Sequence, residues 1–202
     1  MKISSIHLER ATEQLNSLPG IGKRTALRLA LHLLNRSEQE IQDFAQALVE
    51  MKQHTHKCRS CGNISDEETC VICSDPKRDH GTVCVVEDIR DVLAIEGIQS
   101  FKGIYHVLGG LISPMEGVGP GDLNIMSLVE KAASGKVTEI ILALSPTMEG
   151  DTTSFYLYKK LKDLPILITT LSRGVSVGTE LQYADEMTLS RSIVNRQEYK
   201  SQ

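Results

Sequence analysis

The sequence predicts a multidomain α+β protein, and three patterns along the 202 residues support that prediction. Between residues 5 and 54, hydrophobic residues recur every three or four positions, as they do on the buried face of amphipathic helices. A short polar segment with four closely spaced cysteines follows. From residue 82 onward, short apolar runs alternate with helical patterns, which is typical of a parallel sheet with helices on both faces.

Composition and charge indicate a soluble protein and exclude some classes. The chain is 41% hydrophobic and 24% charged, and it has no apolar stretch of about 18 residues that could cross a membrane. Charges interrupt the N-terminal apolar residues, so we expect no signal peptide and a cytoplasmic protein. The net charge is −4, yet residues 1–57 hold eight Lys/Arg against six Asp/Glu. Contact with nucleic acid is therefore expected near the N-terminus.

The N-terminal region, residues 1–55, is predicted to contain a helical hairpin that binds DNA. The segment Leu18–Lys23 lies between two amphipathic helices and resembles the turn of a helix-hairpin-helix motif. Its two glycines let the backbone approach a phosphate, and the amides at the start of the second helix can bind that phosphate. The predicted contacts are Gly20, Gly22, Lys23, Arg24 and Arg28. A solvated helix face beside a glycine turn is the simpler alternative.

A third helix in this region is predicted from its capping signal. Ser37 precedes the helix and Glu40 follows three residues later, which is the pattern of a capping box. Apolar residues at positions 41, 44, 45 and 48 then continue the helical spacing.

Residues 56–80 are predicted to form a structural zinc finger. The ligands would be Cys58, Cys61, Cys70 and Cys73, arranged as two Cys-x2-Cys pairs. Four thiolates leave no open coordination position, so the ion would be structural and not catalytic. Its binding would supply on the order of 10 kcal/mol of folding free energy. Disulfides or a redox pair are the alternatives, and a cytosolic location disfavours them. Cys84 lies in an apolar strand and is expected to be a buried thiol.

Residues 81–170 are predicted to form an α/β domain. Strands are expected at 82–87, 104–110, 139–144 and 166–170, with helices at 88–96, 122–134 and 152–163 between them. Asp122 is expected to cap the second of these helices. Gly97 and Gly135 lie where helices are expected to end.

This domain resembles the Toprim domain of topoisomerases and primases, but with a reduced set of carboxylates. The resemblance rests on Glu87 at the end of the first strand and on the loop Ser145–Asp151 after a later strand. Catalytic Toprim domains carry two aspartates where this chain has Ser145 and Thr147. The remaining acids are Glu87, Glu149 and nearby Asp151, which predict weak Mg²⁺ binding or a surface for a partner protein. Helix capping is a further alternative for Glu87 and Glu149.

The order of these segments, with the tail at residues 171–202, resembles the bacterial RecR family of recombination mediators. The tail, predicted to be Walker B-like or helical, carries Arg173-Gly174, Gly178, Glu180 and Tyr183-Ala184-Asp185-Glu186. One departure is Ser145, where the family usually has asparagine; both side chains are neutral.

The resemblance implies a non-enzymatic role in DNA repair. Members of the family work with RecO, and in many bacteria with RecF, to load RecA onto gapped DNA covered by single-strand-binding protein. The resemblance also implies a homo-oligomeric ring, commonly a tetramer, that encircles duplex DNA. The protein would then be cytoplasmic and associated with the nucleoid. In that arrangement the zinc finger would join the cationic hairpin to the acidic Toprim domain.

Two other functions remain open at the level of sequence. The first is a metal-dependent Toprim nuclease or primase-like enzyme whose site is completed by Asp88, Asp91 or Asp151. The second is an interaction scaffold that does not touch DNA.

Overall fold

A computed structural model describes residues 4–176, 178–196 and 198. The chain divides into two compact units, Met1–Thr55 and His56–Gln202. Val177, within the predicted tail motif, and the last few residues lie outside the described part of the chain. In the described part, no helix is both long enough and apolar enough to cross a membrane.

The first unit consists of three helices, α1 (Ile6–Asn16), α2 (Lys23–Leu34) and α3 (Glu38–His54). Helices α1 and α2 pack against each other, and Ala26 and Ala30 of α2 are buried. The predicted capping box is present at the start of α3, where the Ser37 hydroxyl accepts from the Glu40 N–H and the Glu40 carboxylate accepts from the Ser37 N–H. This exchange satisfies two of the amides that a helix start leaves without partners.

The second unit begins with a small hairpin and then forms a parallel sheet with helices. Strands β1 (His56–Lys57) and β2 (Ile64–Ser65) pair antiparallel, and the short helix α4 (Val71–Ser74) follows. The remaining elements are β3 (Asp79–Val86), α5 (Ile89–Gly97), β4 (Gly103–Val107), α6 (Ile125–Ala133), β5 (Glu139–Leu142), α7 (Met148–Leu161), β6 (Leu167–Thr170) and α8 (Glu186–Val194). The predicted parallel sheet is therefore confirmed.

The four long strands lie in the order β4-β3-β5-β6, and every pair is parallel. The central strand β3 is buried at Val83, Cys84, Val85 and Val86. Its near-continuous apolar character follows from burial on both faces of the sheet. Cys84 is only 2% exposed, and burial raises the pKa of its thiol to about 12, as expected for a core thiol.

A partly buried ion pair supports the edge of the sheet at β4. The Arg78 guanidinium contacts the Glu96 carboxylate at 2.5 Å, and the hydroxyl of Tyr105 donates to the same carboxylate at 2.7 Å. The bond from Arg78 lowers the pKa of Glu96. Arg78 also donates to the Gly103 carbonyl, so the segment before β3 is tied to the start of β4.

Two helix starts differ from the sequence prediction. Helix α6 begins at Ile125 rather than 122, because Asp122 accepts from the Gly119 N–H and closes a separate 3₁₀ turn at Pro120–Asp122. Helix α7 begins at Met148 rather than 152, because the Thr147 hydroxyl caps it. Gly135 has the left-handed φ of +74° expected after α6. Helix α5 ends at Gly97 as predicted, and the left-handed residue that follows it is Gln99, at φ +55°.

Gly150 permits the tight turn from β5 into α7. A Cβ at this position would lie 1.9 Å from the Ser145 carbonyl oxygen, whereas a Cβ at Gly97 would meet nothing within 4 Å. We expect Gly150→Ala to lower the free energy of unfolding by about 3 kcal/mol through overpacking. Gly97→Ala should leave it unchanged or raise it by up to about 1 kcal/mol. Urea unfolding monitored by circular dichroism measures both values, and equal stability of the two variants would contradict this account of the turn.

Candidate metal centre and nucleic-acid interface

The four predicted zinc ligands lie together, and we call the segment Cys58–Ser74 the zinc knuckle. Their Sγ atoms all lie within 4.8 Å of one another. Cys58, Cys61 and Cys70 are almost fully buried and Cys73 is half-buried. All five cysteines of the chain are free thiols. A buried set of four thiols at this separation is the ligand set of a structural Zn²⁺ ion, and it leaves no open position for catalysis.

Local hydrogen bonds shape the zinc knuckle. The Cys58 N–H donates to the Asn63 carbonyl at 2.6 Å, and the Gly62 N–H donates to the Cys58 carbonyl at 2.8 Å. Gly62 has a φ of +76°, which favours glycine in this turn. The second pair of ligands spans the start of α4, and the Cys70 N–H donates to the Cys58 Sγ at 3.2 Å. Such a bond stabilises a thiolate, which is the form that binds zinc.

The pKa values of Cys61 and Cys73 are shifted in opposite directions. A hydrogen bond with Cys61 lowers the pKa of Cys73 to about 5, while the same bond together with burial raises the pKa of Cys61. Four cysteines held this closely cannot all become thiolates without a cation between them, because each negative charge disfavours the next. A divalent ion at the centre removes that repulsion, so the residues fit the predicted Zn²⁺.

The zinc knuckle is attached directly to the parallel sheet of the same unit. The Val107 N–H, at the end of β4, donates to the Cys61 carbonyl at 2.7 Å. A Cβ at Gly62 would lie 2.9 Å from the Val107 carbonyl oxygen, so the missing side chain permits this approach. From α6, the Lys131 ammonium donates to the Ser60 carbonyl at 2.6 Å. The zinc knuckle therefore shares contacts with two elements of the sheet domain.

Two of the three acids retained in the predicted Toprim site line a cleft at the C-terminal ends of the strands. Glu87 and Glu149 both line this cleft of about 400 Å³, together with Ser145 and Thr147. Glu116 from the 3₁₀ turn Pro114–Glu116 also lines it, and no sequence pattern had indicated this residue. Burial, and then the nearby charges of Asp91 and Asp88, raise the pKa of Glu87. The cleft is acidic, but it lacks the two aspartates of a catalytic Toprim loop.

The three aspartates that could have completed a catalytic site are engaged elsewhere. The Asp88 carboxylate caps α5 and pairs with Arg90. The Asp91 carboxylate accepts from the N–H groups of Glu87 and Asp88, at 3.1 and 3.2 Å.

Asp151, the third of these residues, does not line the cleft that contains Glu87 and Glu149. Its carboxylate contacts Arg173 at 2.6 Å and Arg191 at 3.4 Å. This side chain therefore joins α7 to the segment after β6 and to α8 of the tail.

The hairpin residues form an exposed cationic turn in the first unit. Gly20 has a φ of +77°, and a Cβ at Gly20 or Gly22 would meet nothing within 4 Å. Gly22 is the N-cap of α2, and within the described residues no side chain caps the amides of the first turn. Lys23, Arg24 and Arg28 are exposed, and no ion pair among the described residues involves them. This turn can bind a phosphate through backbone amides and cationic side chains.

Zinc should control folding of the cysteine segment. We expect Cys58→Ser to lose zinc and to lower solubility or the melting temperature, since the segment has almost no core of its own. Cys84→Ala removes a thiol outside the cluster and should keep one zinc per chain. Elemental analysis and thermal unfolding measure these effects. A Cys58→Ser protein that is soluble and fully folded, but has lost DNA affinity alone, would show that the zinc knuckle acts on DNA more directly.

Four family models match consecutive segments of the chain. They are the RecR helix-hairpin-helix at residues 8–52, the RecR zinc finger domain with four cysteines at 55–75, the Toprim domain at 81–172 and the RecR C-terminal region at 174–197. The models agree with the predicted fold class of a helix-hairpin-helix, a four-cysteine zinc finger and a Toprim domain.

Curated relatives named "Recombination protein RecR" match over nearly their whole length. The protein of Flavobacterium johnsoniae is 59% identical over 97% of this chain and 95% of the relative. The protein of Porphyromonas gingivalis is 54% identical over 98% of this chain and 96% of the relative. The protein of Bacteroides thetaiotaomicron is 55% identical over 95% of this chain and 94% of the relative. The chain therefore belongs to the RecR family of recombination proteins.

Proposed function

We propose that this protein is a recombination mediator in DNA repair that holds DNA without cutting it. In this role it works with RecO, and with RecF where present, to load RecA onto gapped DNA covered by single-strand-binding protein. The observation that carries the proposal is the exposed hairpin turn. Its two glycines leave the backbone open, and no side chain among the described residues caps the first amides of α2. The basic side chains that follow form no ion pair within the described part of the chain. Family membership supports the role in recombination.

The hairpin contacts support binding to the DNA backbone rather than to particular bases. Helix amides, Lys23 and Arg24 suit phosphate oxygens, and such contacts position a protein without reading sequence. One hairpin offers few phosphate contacts, so its affinity would be modest and strongly dependent on salt. Acidic residues also limit the affinity of the hairpin for DNA, because Glu9 and Glu13 of α1 line the same cleft as Lys23 and Arg24.

A homo-oligomeric ring, such as a tetramer, would overcome the weakness of one hairpin. Several hairpins in one assembly raise the effective concentration of each for the same DNA. Exposed apolar side chains on α3 support self-association, since Phe44, Leu48 and Met51 are 45%, 50% and 59% exposed. A water-exposed apolar helix face of this kind is typical of a protein interface.

The sheet domain supports partner binding rather than catalysis. Glu87 and Glu149 line an acidic cleft, but the three nearby aspartates cap helices or pair with arginines. Two carboxylates would hold Mg²⁺ weakly, and they can equally meet basic residues of RecO.

We propose that the protein acts as a mediator in the cytoplasm, at the nucleoid.

Charge reversal at the hairpin tests the proposal. We expect Lys23→Glu with Arg28→Glu to weaken DNA binding by more than about tenfold and to reduce its salt dependence, because phosphate contacts are lost. The matched control, Lys159→Glu with Lys162→Glu on and just after α7, changes the net charge equally and should bind as the wild type does. Fluorescence anisotropy over a salt series measures both. Unchanged binding by the folded hairpin variant would favour a scaffold that does not contact DNA.

The nuclease alternative has a separate test. With Mg²⁺ or Mn²⁺, the purified protein should leave nicked, gapped and supercoiled DNA intact, because too few carboxylates remain to hold a catalytic ion. Gel analysis over several hours measures this. Cleavage that disappears in Glu87→Ala would establish an enzyme and overturn the proposal.

A further inference from the structure

A positive charge close to the zinc knuckle would stabilise the metal centre. Four thiolates around one Zn²⁺ leave an excess of two negative charges. Cys58, Cys61 and Cys70 are 2%, 1% and 3% exposed, so water screens that charge poorly. A buried charge is costly unless a hydrogen bond or an opposite charge accompanies it.

Lys131 is the cation that the fold directs to the zinc knuckle. It lies on α6 beside the buried Ala132, so its backbone is held by the core of the sheet domain. Its ammonium donates to the Ser60 carbonyl at 2.6 Å, one residue before the ligand Cys61.

The nearest sequence candidate for the same role is engaged differently. Arg59 lies between the first two ligands, but its guanidinium pairs with Glu68 at 2.6 Å. The Arg59 side chain is 82% exposed, so its charge is largely screened by water. Lys131 is half-buried and reaches the zinc knuckle from another element.

We propose that Lys131 is a positioning residue for zinc: it offsets the negative charge of the metal centre and holds the first cysteine pair in place, which slows release of the ion. Residues that orient or electrostatically support metal ligands commonly change metal affinity by about 10- to 100-fold. The hydrogen bond to the Ser60 carbonyl also ties the zinc knuckle to α6. This role is independent of DNA binding and does not rest on the proposed mediator function.

Zinc release from the full-length, zinc-loaded protein tests the role of Lys131. An excess of a chromophoric chelator is added, and the rate of colour formation gives the release rate. We expect Lys131→Met and Lys131→Gln to release zinc about 10- to 100-fold faster, because both lack the charge. Lys131→Arg keeps the charge and should stay within about threefold of the wild type. Lys136→Met, which removes an exposed lysine just after α6, should match the wild type.

The glutamine variant separates charge from a simple hydrogen bond. Glutamine can still donate to the Ser60 carbonyl, so a wild-type release rate in Lys131→Gln would overturn the electrostatic role. An unchanged rate in Lys131→Met would overturn the proposal as a whole. Melting temperatures of the zinc-loaded variants control for general loss of stability. Should Lys131→Met fail to fold, the comparison between the glutamine and arginine variants decides the question, since both side chains are long and polar.

Discussion

The hydrogen bond from the Val107 N–H to the Cys61 carbonyl fixes the zinc knuckle to the sheet domain, beside the apolar core that the cysteines share with β3 and β4. It joins a segment too short for a core of its own to the end of a fully buried strand. The contact is possible because Gly62 has no side chain and lies against the Val107 carbonyl. Zinc fixes the conformation of Cys61, and Cys61 fixes the zinc knuckle against β4. A structural ion at these four cysteines would thereby stabilise a surface of the sheet domain.

Much of this architecture could be predicted from the sequence because the local signals were strong. The spacing of Cys58 and Cys61, the Ser37 capping box and the apolar runs of the sheet each specify their element through nearby residues. Contacts between distant residues could not be predicted in this way. Neither Lys131 on the Ser60 carbonyl nor Glu116 in the acidic cleft has a local signature. Asp122 was misplaced because it satisfies an amide in its own 3₁₀ turn rather than at α6.

The sheet domain has the fold of a Toprim domain but a reduced set of carboxylates. Neutral residues, Ser145 and Thr147, stand at the aspartate positions, and Thr147 now caps α7. Nearby carboxylates have structural partners: Asp91 accepts backbone N–H groups, and Asp151 joins α7 to the tail through Arg173 and Arg191. These pairings hold the acids in place without a metal ion. Glu87 and Glu149 remain in the cleft, and two carboxylates would hold a divalent cation only weakly.

Reconstituted RecA loading tests the central claim most directly. Gapped DNA is covered with single-strand-binding protein, and RecA filament growth in the gap is followed with and without this protein and a RecO partner. Our account predicts that the two together speed RecA loading, that the protein alone leaves the DNA uncut, and that charge reversal of the hairpin abolishes the stimulation. RecA loading that is no faster with both proteins present would contradict it.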